Sequence, residues 1–290
     1  MILPSLPCEC LIDVLSHLDR KSLYNCLYVS RYYCKLSIPI IWKEPFLSTC
    51  RKNSSLVINT LLACLDEDEI SSLIPCVINF NNQSPLFEYG RFVRKINHDR
   101  CVSLIKIWLK SFNQDCRIQR MVNAIYHVIM RQGSNLQELI LNRDHWPKIS
   151  ILTTYKPGIT NLRSIKIECM GGQEDTEFLS MVPKFCSGII NLNLYMSELY
   201  ISTTILDIVK SQPLERMKFY NHYGIKVYVK EIIDALEFRS ETLKQLVFIR
   251  FDFQGIDLSF VSRLGCLERL ELYYCEGFEG FTYGHYEAFI

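Results

Sequence analysis

The chain has 290 residues, with 32 basic against 31 acidic side chains and a net charge of +1. That balance gives no electrostatic reason to expect nucleic acid or an anionic membrane as a partner, and no apolar run reaches the length of a membrane span. With 49% apolar residues, the chain has material for one large or two modest cores.

The first segment, Leu6 to Trp42, opens on Leu6-Pro7 and the acidic Glu9. It then sets Leu11, Ile12, Val14, Leu15 and Leu18 at helical spacing. A polar break, Asp19-Arg20-Lys21, precedes a second apolar helix carrying Leu23, Leu27 and Val29, and a third helix leads to Trp42. Three short helices bury little of this Leu, Ile and Val among themselves, which marks residues 1–47 as a docking module. Pro4, Pro7, Glu9 and Asp13 come too early for a signal peptide. Thirteen cysteines, odd in number and dispersed, sit mostly in apolar stretches such as those of Cys26, Cys64, Cys76 and Cys169. Free buried thiols in a reducing compartment, cytoplasmic or nuclear, are expected.

Residues 48–132 read as a helical linker. Leu56–Leu65 is apolar at helical spacing, Asn81–Pro85 is a turn candidate, and Ile118–Met130 is an amphipathic helix with Gly133 as its C-cap. Cys101–Phe112 fits two readings, a helix or a poorly formed first repeat through Leu104, Ile107 and Leu109. The basic residues Arg91, Arg94, Lys95 and Arg100 read as solvated helix ends.

From residue 133 to 290 an aliphatic pattern, Leu-x-x-Leu-x-Leu, recurs. It occurs at Leu136/Leu139/Leu141, Leu162/Ile165/Ile167, Ile189/Leu192/Leu194, Leu214/Met217/Phe219, Leu243/Leu246/Phe248 and Leu267/Leu270/Leu272. One hit is cheap in an apolar chain, but first positions advance by 26, 27, 25, 29 and 24 residues. Six phased hits are hard to obtain by accident, and the period is that of leucine-rich repeats. Between strands there is room for helices: Glu174–Val182 with Phe178 and Leu179, a segment capped by Thr203 or Thr204 with Ile205, Ile208 and Val209, and Lys230–Leu236. The position after each third apolar residue gives Asn142, Glu168, Tyr195, Tyr220, Ile249 and Tyr273, an outward row suited to holding a protein partner, with Arg216 and Arg269 bordering it. The tail, EGFEGFTYGHYEAFI, does not look like a polar cap; either it folds back over the last strand or the chain is an incomplete product.

Two resemblances follow from these residues. Leu6 to about Phe46 resembles an F-box: Leu6-Pro7 opens it, Leu11, Ile12, Leu15 and Leu18 form its first aliphatic row, and Ser22-Leu23 with Leu27 matches the start of its second helix. Val29-Ser30-Arg31-Tyr32-Tyr33 matches the Val-Ser-Arg-x-Trp signature with Tyr33 replacing Trp, and Ile41-Trp42 closes the motif. LERLELYYC, with Cys275 at the ninth position, resembles the cysteine-containing leucine-rich repeats found behind F-boxes. Elsewhere that position departs from the pattern, as Asp144, Met170, Ser197, His222 and Phe251. The F-box resemblance implies docking to the Skp-family adaptor of a cullin-based (SCF) ubiquitin ligase through Leu6, Pro7, Leu11, Ile12, Leu15, Leu18, Leu23, Leu27, Val29, Tyr33 and Trp42. Together the resemblances imply an α/β chain: a three-helix F-box, a helical linker, and a right-handed repeat solenoid with a parallel sheet on its concave face.

Catalytic and cofactor chemistry has no foothold in the sequence. Gly171-Gly172 lacks the strand and helix of a phosphate loop, Cys8-x-Cys10 is too tight for a zinc knuckle, and His98, His127, His145 and His222 have no ligand spacing. The expected function is therefore non-enzymatic, with no metal or cofactor: an adaptor that presents a client protein for ubiquitin transfer. The alternative is a repeat scaffold that assembles with the adaptor without directing ubiquitination.

Overall fold

The computed structural model describes residues 6–47, 51–73, 85–110, 115–141, 145–169, 172–196, 203–221, 229–277 and 284–289. The chain divides into two compact units, residues 1–136 with 154–158, and residues 137–153 with 159–290. The docking module and the linker, expected as separate segments, thus share one unit.

In the first unit, α1 (Cys8–Ser16), α2 (Arg20–Cys26) and α3 (Arg31–Ile41) follow one another closely. The reason lies in their caps. Asp19 accepts hydrogen bonds from the amides of Lys21 (2.8 Å) and Ser22 (3.0 Å), and Ser30 accepts from the Tyr33 amide (3.2 Å). The expected break between the helices falls at Asp19, which caps α2, while Arg20 and Lys21 form the first turn of that helix. Hydrogen bonds from the Ser22 hydroxyl and amide hold the Asp19 carboxyl below its ordinary value.

The linker is helical: α4 (Arg51–Leu62) and α7 (Asp115–Arg131) fall on the two periodic stretches, and α5 (Glu67–Leu73) and α6 (His98–Leu109) add to them, with a short strand β1 (Lys95–Asn97) before α6. Cys101 to Leu109 is thus helix, settling the ambiguity of Leu104 and Ile107. Gly133 takes φ +75°, and the Gly133 and Ser134 amides donate to the carbonyls of Met130 (3.0 Å) and Ile129 (3.2 Å), closing α7. Arg131 fastens α7 to α5 through two bonds to the Glu69 carboxylate (2.8 and 2.9 Å) and one to the Cys64 carbonyl (2.9 Å). Arg91 and Arg100 of the basic cluster are exposed, and its members also make local contacts: Arg91 pairs with Glu88 (3.3 Å), Lys95 with Glu44 (3.5 Å), and Arg94 donates to the Arg91 carbonyl (2.7 Å). Residues 81–84 of the expected turn lie outside the described residues.

The second unit is mixed α/β. Strands β2 (Glu138–Leu141), β3 (Ser164–Cys169), β4 (Asn191–Met196), β5 (Arg216–Asn221), β6 (Gln245–Ile249) and β7 (Arg269–Cys275) lie parallel in chain order. Helices α8 (Ile149–Thr154), α9 (Gln173–Phe185), α10 (Thr203–Ser211), α11 (Val229–Leu236) and α12 (Phe260–Arg263) fall between them. Every strand starts two residues after the first aliphatic of its sequence pattern, and that aliphatic is buried in all six cases. It sits where one carbonyl receives two amides from the following turn of chain. Arg163 and Ser164 donate to Gln137, Ile190 and Asn191 to Arg163, Glu215 and Arg216 to Ile190, Lys244 and Gln245 to Glu215, and Glu268 and Arg269 to Lys244. One local geometry is therefore stamped out repeatedly by the same spacing.

The helices close the other side of this core with the residues their periodicity names: Phe178, Leu179 and Val182 on α9, Ile205, Ile208 and Val209 on α10, and Ile232, Ile233 and Leu236 on α11 are all buried. Burying each such side chain contributes about 1.5–3 kcal/mol. Late in the chain the core is aromatic. Phe248 stacks on Phe219 (5.3 Å, 13°), and Phe251 and Phe253 each meet Phe248 edge-on at 5.3 Å. The open edge of β7 is covered by β8 (Gly284–Phe289), which pairs antiparallel from Arg269↔Phe289 to Cys275↔Gly284. The tail does fold back over the last strand, removing an edge otherwise ready for unwanted pairing.

Candidate docking surfaces

The helices of the first unit split their apolar residues into two sets. Leu15 (3% exposed), Leu23 (5%) and Trp42 (8%) are buried. These three, expected on the docking face, are packed within the first unit, the Trp42 ring centroid 4.5 Å from that of Tyr89. Leu11, Leu18, Leu27 and Tyr33 are half-buried, while Leu6, Pro7, Ile12 and Val29 are exposed. At about 100° per residue, Leu11 and Leu15 form a single inward stripe on α1, and Leu18 follows just past its end. Ile12 and Val14 flank that stripe and reach solvent.

The corner between α2 and α3 sets Val29 of the motif beside two rings, Tyr28 and Tyr32, that were not in the expected docking set. Tyr28 is 88% exposed, Val29 66%, and Tyr32 also faces solvent, its ring 6.2 Å from that of Tyr33 in an edge contact. A ring followed by an aliphatic at Tyr28-Val29 was the available signal, since the turn they occupy has no buried face to receive them, and Tyr32 follows in the first turn of α3. Beside this corner α2, α3 and α4 enclose a groove of about 660 Å³, with Tyr24, Leu27, Ile38, Ile41 and Trp42 on its wall and Arg20 and Lys21 at its rim.

On the second unit the strand register decides which residues share a face. Glu168, Tyr195, Tyr220, Ile249 and Tyr273 fall in one row across β3 to β7, as the sequence spacing implies. Asn142, their expected neighbour on the first strand, lies outside the described residues. The Tyr195 and Tyr220 rings lie 5.2 Å apart at 30°, with the Lys166 ammonium 4.7 Å above Tyr195 and the Arg250 guanidinium 5.7 Å from Tyr220. Arg216, exposed, donates to the Asn191 side-chain oxygen, and Arg269 pairs with Glu271 at 2.8 Å.

Glu271 is a buried carboxylate on this face. Burial alone would raise its pKa, but hydrogen bonds from Tyr273 (2.6 Å) and Gln245 (2.8 Å), with the charges of Arg269 and Lys218, bring it below its ordinary 4.5.

Cys275 is buried, its thiol 3.5 Å from the Phe248 carbonyl, and burial pushes that thiol up to about 11. Burial likewise raises Cys186 to about 12. Both are neutral structural thiols at physiological pH, without the thiolate that nucleophilic chemistry requires. Two strands earlier, the bonding expected of the ninth position is done from the eighth: buried Asn221 donates its amide to the Arg250 carbonyl at 3.0 Å. Among the described residues no group of three or more His, Cys, Asp or Glu is placed to hold a metal.

Comparison with known families bears on the first surface. The F-box-like family model matches residues 3–48, which takes in α1 to α3 and the 3-10 turn Pro45–Leu47. The N-terminal module is an F-box-like domain, and such domains in general bind Skp-family adaptors. No curated protein matches the chain.

Proposed function

We propose that this protein is the substrate-recognition adaptor of a Skp-cullin-F-box ubiquitin ligase. The F-box-like domain docks the Skp-family adaptor, which bridges to a cullin, and the second unit is a leucine-rich-repeat solenoid whose sheet face holds a client. The protein is not an enzyme; it accelerates ubiquitin transfer by raising the effective concentration of client lysines near a charged partner enzyme. It acts in cytoplasm or nucleus, where that machinery operates.

The observation that carries the reading is the exposed apolar set Leu6, Ile12, Tyr28, Val29 and Tyr32 on a domain matched as F-box-like. Leaving these in water gains nothing for the fold, whereas burying them in a complementary groove supplies affinity. The repeat reading is supported by the paired amide bonds that recur at five successive chain turns, and by Cys275 and Asn221 bonding neighbouring backbone.

The test is capture of a purified Skp-family adaptor by the wild-type chain and by Ile12→Asp/Val29→Asp. Both positions are exposed, so the fold should survive and capture should fall by about tenfold or more. Undiminished capture by the folded variant would remove this face from the adaptor interface. Reconstitution with cullin and its partner enzyme, scored for client ubiquitination, then separates a ligase adaptor from a scaffold.

A further inference from the structure

The sheet of the second unit carries a basic patch that its own fold offsets only in part. Lys166, Asn193 and Lys218 occupy one register row across β3, β4 and β5, and Arg216 lies two positions from Lys218 on the same face. Tyr195 and Tyr220 form the neighbouring row. The outward positions of β4 and β5 hold no acidic residue at all. Among the described residues neither Lys166 nor Lys218 makes an ion pair, whereas Arg269 on β7 is matched by Glu271 at 2.8 Å. Glu168 on β3 stands in register with Tyr195, and Glu271 on β7, already paired with Arg269, continues the lysine row two strands beyond Lys218.

We propose that this patch binds an extended acidic segment of the client. Carboxylates at alternate positions lie on the Lys166–Asn193–Lys218 row and Arg216, and an intervening apolar side chain rests on the Tyr195–Tyr220 pair. The dimensions agree. Two strand spacings set the lysines roughly 10 Å apart, and alternate side chains of an extended peptide recur about every 7 Å, within reach of two flexible lysines. The asparagine between them offers amide donors to the same carboxylates, and the half-buried tyrosine rings give an apolar platform that loses little entropy on binding. The proposal rests on reading this face as the client surface in the function proposed above.

The experiment is fluorescence anisotropy with the full-length chain and a labelled peptide of alternating Glu and Leu. Binding should weaken steeply with added salt and fall by about tenfold or more in Lys166→Glu/Lys218→Glu. A Lys-Leu peptide should prefer that variant over wild type, an inversion that misfolding cannot produce. A Lys166→Gln/Lys218→Gln variant gives the same loss if the reversed charges melt the fold. Capture of the Skp-family adaptor should be unchanged in every variant, so failure of this proposal is distinct from failure of the F-box reading. Equal binding of a Gln-Leu peptide, unchanged affinity on charge reversal, tighter binding of single-stranded oligouridylate, or binding only when phosphoserine replaces glutamate would each overturn it.

Discussion

The helices of α1 to α3 and the strands of β3 to β7 are similarly rich in aliphatic and aromatic residues, yet they spend them differently. In the strands the inward rows are consumed: Leu192, Leu194, Met217, Phe219, Leu246 and Phe248 are all buried, and the outward rows are polar, charged or tyrosine with few exceptions. In the helices a minority is buried, and Ile12, Val14, Tyr28 and Val29 remain in solvent. A stacked unit covers its apolar face with its neighbour, so its hydrophobicity is explained from within. A three-helix module runs out of neighbours, so its surplus stays exposed.

Substitutions at corresponding depth should separate the two regions. The largest effect is expected for Phe248→Ala, which opens a cavity among Phe219, Phe251 and Phe253. A loss of about 3–5 kcal/mol should appear in chemical denaturation followed by circular dichroism. Asn221→Ala comes next, at roughly 1–3 kcal/mol, because it leaves the Arg250 carbonyl without its buried donor. Ser30→Ala, which removes the cap of α3, should cost about 1 kcal/mol. If Ser30→Ala proved as damaging as Phe248→Ala, the contrast between a loosely and a densely packed region would collapse.

A smaller effect depends on pH. The folded pKa of Glu271 lies below its ordinary 4.5, so its contribution is fully present above that value and is lost as pH falls through the folded pKa. The stability gap between wild type and Glu271→Gln, read from urea midpoints, should therefore be wider at about pH 7 than at about pH 3. A gap independent of pH would show that its bonds to Tyr273, Gln245 and Arg269 contribute nothing specific to the charged form.

Much of this was legible in the sequence because repetition and periodicity are themselves sequence properties. The six phased aliphatic triplets name the six parallel strands, and the tyrosine row follows from counting one residue onward. What periodicity does not say is what covers a face. Leu15, Leu23 and Trp42 belong to the apolar set of the F-box motif, and nothing in their spacing distinguishes a side chain turned toward the chain's own helices from one turned toward a partner. Asp19-Arg20-Lys21 carries two messages for a related reason: an aspartate that interrupts an apolar pattern also caps the helix that follows. Leu104, Ile107 and Leu109 fit the periods of both helix and repeat, and only packing in the first unit selects the helix α6. Asn221 escaped notice because it reaches its neighbour's backbone from one position earlier than the repeat pattern prescribes.

The most direct test of this contrast is hydrogen exchange of the full-length chain with and without a saturating Skp-family adaptor. The account predicts protection gained over residues 6–33, greatest at the Tyr28–Tyr32 corner, with β3 to β7 unchanged. Protection that appeared on the strands while the α2–α3 corner exchanged as before would contradict it.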